Sequence, residues 1–491
     1  MKYDVVVVGA GNAGLSAALS AAEWGATVLV LEAAPEHLRG GNTYFTGGLF
    51  RFAFDGVEDV TELVPDASER EMASVDVGSY PESEYYADVM RLSEGLSDPG
   101  LARALVSQSQ STMMWLKGKG VRWALATGRQ SFKRGEVMRF WGGLAIEAVG
   151  GGKGISDRLF EQAGAADVEV LYEAKATGLL IDRGGRVTGV LIKDRRGTRE
   201  VSTSAVVLGC GGFEANAEMR ARYLGPGWDL AKVRGTSYNM GDGIQMALDV
   251  GAKPYGHWSG CHAVAWDMNA PPYGDRTIAD LFQKHSYPLG LIVNVDGERF
   301  VDEGADFRNY TYAKYGREIL SQPQRIAFQL FDEKTRKLLR DEYRMPQASV
   351  VRAGTIEDLA DGLDVDRDGL VRTVREFNAA VQDGGFDPTV LDGKGTRGIA
   401  PPKSNWALPL DSPPYLGYAV TCGITFTFGG LKIDERARVL DTADSPIPGL
   451  YAAGELVGGL FYNNYPGGSG LMAGSVFGRI AGTSAARTAL G

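Results

Sequence analysis

The chain has 491 residues, 44% hydrophobic and 23% charged, with a net charge of −10 and a pI near 5.2. That length exceeds one ordinary core and predicts two or more domains with room for a cofactor-sized pocket. The acidic balance, without a Lys/Arg cluster longer than a few residues, excludes a nucleic-acid surface. Cys210, Cys261 and Cys422 are the only cysteines; their wide spacing excludes a disulfide framework and any thiolate metal or iron–sulfur motif, and fits a reducing compartment. The N-terminal apolar run breaks at glycine after Val8, too early for a signal peptide, and no run of about eighteen apolar residues occurs. A cytoplasmic protein that does not span a membrane is expected.

The stretch YDVVVVGAGNAGLSAALSAAEWGATVLVLEAAP predicts a buried strand (5–8), a glycine turn, a helix over 13–24 and a second strand (27–31) closed by Glu32. Gly9, Gly11 and Gly14, with Asn12 and Ala13 between them, have the G-x-G-x-x-G spacing. It provides a tight turn, close approach of backbone to a pyrophosphate, and helix–strand contact. An anion then sits on the unpaired N–H groups of the helix start. Glu32 closes the second strand, where a carboxylate accepts from a ribose 2′-hydroxyl.

The next stretch, LRGGNTYFTGGLF, is a second glycine-rich loop where an NAD domain would continue into a helix. It resembles the flavin-contacting loop of the fumarate reductase and succinate dehydrogenase flavoprotein family. The resemblance implies FAD, with Gly41, Asn42, Thr43 and Gly48 among the contacting residues. Members that bind FAD covalently carry a histidine in this loop; here none follows Arg39, and His37 precedes it, so noncovalent FAD is expected. Residues 51–100 read as an acidic, helical surface excursion. Two strands, 168–182 and 187–195, flank the turn RGG, and the family places Ala174 against adenine. STSAVVLGCGGF (202–213) reads as a return strand ending at Gly211, and NMGDGIQMALDVGA starts a helix with Asp242 near its cap.

From about 256 to 423 the pattern is irregular and aromatic-rich, with helical stretches in DEKTRKLLRDEY and DRDGLVRTVREFNAAVQ, and reads as an inserted second domain. The expected fold class is α/β: a Rossmann-like FAD-binding domain of glutathione-reductase type (1–255 and 424–491) with an inserted α+β capping domain (256–423). GLYAAGELVGG resembles the family's C-terminal FAD signature, which implies Gly454 and Glu455 near the ribityl chain. In FYNNYPGGSGLMAG, Ser469, Gly470 and Leu471 begin a helix whose N-terminus would face the flavin N1/O2 edge.

The family interconverts CH–CH and C=C bonds by hydride transfer to flavin N5 and proton transfer with a side chain. GERFVDEGADFRNYTYAKYG resembles the segment bearing its proton-transferring arginine, which maps, with one residue of insertion, to Arg308. An ion-paired loop arginine is the alternative. Asp302, Glu303 and Asp306 are the expected relays. His262 is the nearest match to the family's substrate-binding histidine, His257 the second, and a hydrogen-bonded core histidine the alternative. The pair lacks a carboxylate or cysteine set at ligand spacing, so no metal is expected.

Two departures stand out. GITFTFGG carries Thr425 and Phe426 where C4-dicarboxylate enzymes of the family carry histidine, and Tyr465 stands where they carry a clamping arginine. Succinate and fumarate are therefore disfavoured. The Tyr-Pro-Gly pattern resembles flavin 3-ketosteroid Δ1-dehydrogenases, but DFRNYTYAKYGRE with GLFYNNYPGGSGL most closely resembles FAD-dependent tricarballylate dehydrogenases, implying oxidation of tricarballylate to cis-aconitate. Three carboxylates need cations or strong donors; Lys133, Arg134, Arg139, Asn463 and Asn464 are candidates besides Arg308 and His262.

A dehydrogenase or ene-reductase of cyclic ketones or natural-product scaffolds is the rival enzyme reading, suggested by Tyr465 with Trp141, Trp258, Phe461 and Tyr462. An FAD-binding sensor or assembly protein is the non-enzyme alternative. Without an iron–sulfur or C-x-x-C-H motif, electrons must leave through a separate acceptor or oxygen, and the resemblance implies a membrane iron–sulfur partner.

Overall fold

A computed structural model describes residues 3–491. Strand β1 (Tyr3–Val8), helix α1 (Asn12–Glu23) and strand β2 (Val28–Leu31) form the opening βαβ unit, with β1 and β2 parallel. Both strands are near-continuous apolar runs, as parallel strands covered on both faces require, and Val5, Val6, Val7 and Val30 are fully buried. A Cβ on Gly14 would lie 1.9 Å from the carbonyl oxygen of Gly9, so only glycine lets this helix sit so close to the turn.

Beside β2 lies β3 (Glu169–Leu171), also parallel. Strands β4 (Lys175–Ile181), β5 (Val187–Asp194) and β6 (Gly197–Leu208) follow. The first half of β6 pairs antiparallel with β5 and the second half runs parallel to β1. One strand thus joins the hairpin layer to the main sheet. Helix α2 (Asp242–Asp249) comes next.

The segment expected to be irregular is built on two long strands. β7 (Pro254–Asp267) and β10 (Tyr415–Leu431) pair antiparallel, and β10 is the spine of a six-stranded sheet that includes β8 (Leu291–Val293) and β9 (Ala327–Phe331). Glycines and aromatics inside β10 mask its period-2 pattern. Both long strands cross the expected boundaries at 255/256 and 423/424. Of the helical stretches, Arg367–Ala380 is a helix, whereas DEKTRKLLRDEY forms only a turn of helix at Glu333–Arg336 and a 3-10 turn at Asp341–Tyr343. Arg340 and Glu342 of that stretch are drawn instead into a buried pair described below.

Strand β11 (Pro446–Ala452) returns parallel to β6, and helix α3 (Ser469–Leu490) closes the fold against α1. Small side chains make that contact. A Cβ on Gly482 would meet the Ala17 carbonyl oxygen at 2.1 Å, and Ser20 Oγ donates to the Arg479 carbonyl at 3.0 Å. Among the described residues no helix is long and apolar enough to cross a membrane.

Substituting Gly482→Val should push α1 and α3 apart and cost roughly 1–3 kcal/mol, the usual range for overpacking. Gly164→Ala, on a helix position with open space around it, should be neutral or stabilising by up to about 1 kcal/mol. Thermal unfolding of the two variants checks the pair.

Candidate functional site

One cleft runs between the two sheets, enclosing about 1600 Å³ of empty space, part of it open to solvent. At one end its wall is nearly bare backbone: Gly9, Gly11, Gly41, Gly211, Gly454 and Gly470 all face it. Helix α1 starts there without a side-chain cap on Gly11, and α3 starts there without one on Gly468. Two sets of helix-start N–H groups therefore open on the same space, a donor set suited to a pyrophosphate and to an electron-rich ring edge. Asn12 ties the two starts together, since its Nδ2 donates to the Leu471 carbonyl at 2.8 Å and its Oδ1 accepts from Ser475 Oγ at 2.8 Å.

Glu32 accepts from the Ala10 and Ala34 N–H groups at 3.0 and 2.8 Å, while burial raises its pKa. Ala13, Asn42, Thr43, Ala174, Asp242 and Leu471 also line the cleft. Gly14, Gly48 and Ser469 do not. Gly14 lies beneath the turn, Gly48 packs on the backbone of Gly151, and Ser469 is buried against the Tyr85 hydroxyl at 3.0 Å. These donors and this bare wall fit FAD.

A buried acid pair stands behind the middle of the cleft. Glu214 accepts from Asn42 Nδ2 and Asn239 Nδ2 at 2.5 and 2.6 Å, and Glu455 accepts from the Thr427 N–H at 2.8 Å. Burial and the neighbouring Glu214 push Glu455 well above the usual carboxylate range, so Glu455 is a neutral acid on the cleft wall.

The other end is polar and cationic. Arg308, His262 and Tyr465 all line it, with Arg129, Arg234 and Tyr312. Tyr312 OH donates to Tyr465 OH at 3.3 Å, and Tyr465 OH lies 2.9 Å from His262 Nδ1. With Tyr312 as first donor, the Tyr465 proton is left for Nδ1, and the histidine carries its own hydrogen on Nε2, which has no protein partner. Burial, then Arg234, holds His262 well below the ordinary imidazole range, so the ring is neutral.

Arg308 is 7% exposed. Its Nη2 donates to the Arg129 carbonyl at 3.2 Å and its Nε is unpartnered. Burial and then Arg340 lower its pKa to about 9, against the opposing pull of Glu342. Arg340 pairs with Glu342 at 3.2 Å. The relays expected from sequence do not reach it: Asp302 binds Ser404, Glu303 pairs with Arg299, and Asp306 with Arg91. Arg129 is neutralised by Asp280 at 2.5 Å, but Arg234 has only a 3.4 Å bond to Gln283 and an unpartnered Nε.

Several expectations move elsewhere. Lys133, Arg134 and Arg139 lie on an exposed hairpin, paired with Glu136, Asp387 and Asp76. The amides of Asn463 and Asn464 do not line the cleft: the Asn463 N–H donates to His257 Nδ1, and Asn464 Nδ2 to the Tyr310 carbonyl. The aromatic set is dispersed, with Trp258 on Tyr223, Tyr462 on His257 and Phe461 on Tyr465. Sequence reasoning passed over Arg234, Asp280, Gln283, Arg340 and Glu342. The one available signal was the polar run DLFQKHS (280–286), most of it buried.

A family model described as an FAD binding domain matches residues 4–471. A fumarate reductase (cytochrome) of Shewanella frigidimarina is 28% identical over 99% of this chain and 77% of its own length. A vinyl phenol reductase of Lactiplantibacillus plantarum is 29% identical over 99% of this chain and 97% of its own. The open conformation of a flavocytochrome c3 fumarate reductase superposes with a TM-score of 0.73 at 26% identity, covering all of this chain and 79% of that one.

Tyr465→Phe should leave His262 Nδ1 buried without a partner, lowering stability by about 1–3 kcal/mol. Thermal unfolding against wild type measures it, and an unchanged melting temperature would break the proposed hydrogen-bond order.

Proposed function

We propose, from the premise that this chain belongs to the FAD-binding flavoprotein family of the fumarate reductase and succinate dehydrogenase type, that its substrate is a small polycarboxylate, with tricarballylate to cis-aconitate as the reaction. The chain is an FAD-dependent oxidoreductase acting on carbon–carbon bonds. The single observation that carries the finer reading is the pair of guanidinium groups, Arg234 and Arg308, buried on the cleft wall without a directly bonded carboxylate. Buried cations left unpaired are costly, and an anionic substrate compensates them.

FAD would be held noncovalently by the wall of Gly9–Ala13, Glu32, Gly41–Thr43 and the α3 start, and would supply the two-electron acceptor for the C–H bond. Residues 256–423 would cap it. His262 Nε2–H and Arg234 orient the carboxylates so that the reacting carbon faces Arg308. Arg308, whose lowered pKa makes it able to lose its proton, accepts the proton from that carbon. The Glu342 carboxylate, acting through space, stabilises the charge then held on Arg308, and Arg340 opposes it. Enclosure by Phe426, Tyr312 and Tyr465 keeps bulk water from competing for it.

A keto-polarising Tyr465 is less well supported, because its proton is engaged by His262. Electrons would leave through a separate acceptor, since the sequence carries neither an iron–sulfur cysteine motif nor C-x-x-C-H.

Three outcomes are expected. The purified protein is yellow, and acid precipitation releases the flavin, because His37 is exposed outside the cleft; flavin staying on the chain would contradict noncovalent binding. Arg308→Lys retains FAD but slows anaerobic flavin bleaching by tricarballylate about a hundredfold or more, the usual worth of a positioned acid/base. In the oxidative direction the neutral guanidine is the active form. Hence kcat/KM rises as pH rises toward about 9 and levels above it, and a profile flat from pH 6 to 10 would remove Arg308 from the proton transfer.

A further inference from the structure

A second, smaller cavity, with room for about 40 Å³ of water-sized occupancy against about 210 Å³ in the first, adjoins it. Arg308 lines both. The other polar walls are His285, Ser286 and Arg340; the apolar walls are Trp141, Phe307 and Leu338 among others. Trp141 stacks on Phe132 at 4.9 Å and on Phe307 at 6.3 Å, and Phe307 leans on Trp406 at 5.8 Å, so the aromatic side is a rigid slot.

Into this space the chain directs polar groups that it does not satisfy itself. His285 is 1% exposed, and neither of its ring nitrogens has a partner. Arg308 Nε has none either. Each buried unsatisfied group costs about 1–3 kcal/mol, an expense that nothing in the packing requires, since a leucine would fill the His285 position without it. Arg308, Arg340 and Arg129 share the carboxylates of Glu342, Asp280 and Glu147, and Arg234 beside Asp280 tips this cluster to a positive excess. Burial and the neighbouring Arg308 keep His285 neutral, so one ring nitrogen carries a hydrogen to donate. Donors, positive excess and apolar walls together describe a seat for an anion with a short carbon stem. Where one water needs about 10–15 Å³, the cavity takes a few waters or one carboxylate arm.

We infer that the cavity bounded by His285, Arg308 and Arg340 seats a carboxylate group additional to those held at Arg234 and His262. The inference rests on the polycarboxylate reading above. The carboxylate comes from one of two sources: the third arm of a branched tricarboxylic acid whose other arms lie in the main cleft, or a second acid molecule. In the first case the seat makes the site selective for tri-acids over C4 di-acids. In the second it makes Arg308 a guanidinium shared by two ligands.

The test uses the FAD-loaded protein reduced beforehand with dithionite, so that neither acid can bleach the flavin, with tricarballylate and succinate titrated separately by calorimetry and by perturbation of the reduced-flavin absorbance. Two variants are compared with wild type. His285→Leu removes no internal hydrogen bond, so its melting temperature should hold or rise. Leu338→Trp fills the cavity and leaves every charge in place.

Tricarballylate affinity is expected to fall about tenfold to a hundredfold in both, the worth of a charge-assisted hydrogen bond. A third arm gives one equivalent of tricarballylate per chain and succinate binding within about threefold of wild type. A second molecule gives two equivalents of succinate in wild type and one in the variants. Unchanged tricarballylate affinity in both variants, or an equal loss of both acids at one equivalent, overturns the seat while leaving the polycarboxylate reading intact. Failure of both acids to bind wild type overturns both readings.

Discussion

The contact between the first helix and the last is the constraint from which the rest of the site follows. Helices α1 and α3 are separated by more than 440 residues of sequence, yet they meet backbone to backbone. The approach at Ala17 and Gly482, where a Cβ would be 2.1 Å from a carbonyl oxygen, is too close for any side chain. Glycine, alanine and serine in that seam cost helix propensity, and the return is that two helix starts open on one cleft, laced by Asn12. A wider seam would move the α3 start away from the α1 start and split the donor set in two. The sheet joins in through β6, which fixes both the hairpin layer and the parallel core with one backbone.

Against that rigid end, the opposite end of the cleft is electrostatically unsettled. Arg129 has its carboxylate, but Arg234 and Arg308 do not, and His262 and His285 are held neutral between them. A fold with only a few kcal/mol of net stability does not keep such groups buried without consequence. Strain of this kind gathers where a ligand relieves it. The lowered Arg308 pKa is the same fact in another form: the charged form is penalised by burial and by Arg340, and that penalty lets an arginine exchange a proton at all.

The two ends differed in how readable they were. The βαβ turn could be read because its chemistry is local: three glycines and one acid, within one supersecondary unit, each answer a steric or hydrogen-bonding need that sequence spacing states outright. The α3 start was readable for the same reason. The cationic end was not. Arg234 follows a two-residue strand, and Asp280, Gln283 and His285 sit in a polar run that any pattern rule assigns to the surface. These residues meet only because β7 and β10 pair over most of their lengths, and β10 hid its period behind glycines and aromatics. Charge need alone pointed to Lys133, Arg134 and Arg139, which are near in sequence to the site's loops but are satisfied on the surface by their own carboxylates.

The departures at Thr425 and Phe426 acquire a physical meaning from the irregular pairing of β7 with β10. The register shifts between His257 and Cys261, and again between His262 and Ala263. A bulge re-aims side chains that a regular ladder would alternate. The second shift leaves Thr425 unpaired in the ladder, where its carbonyl accepts from Asn42 Nδ2 at 2.8 Å, and sets Phe426 opposite His262. Phe426 then lies nearly parallel to Tyr465, with ring centroids 6.1 Å apart. Phe426 and Tyr465, where the sequence resemblance led to the expectation of polar side chains, thus form one aromatic wall. Arg234 and Arg308 line the same cleft as this wall. Arg308 sits 5.7 Å from the Tyr312 ring centroid, and Arg234 acts on both His262 and Tyr465, so cations and aromatics share this end of the cleft rather than dividing it between them.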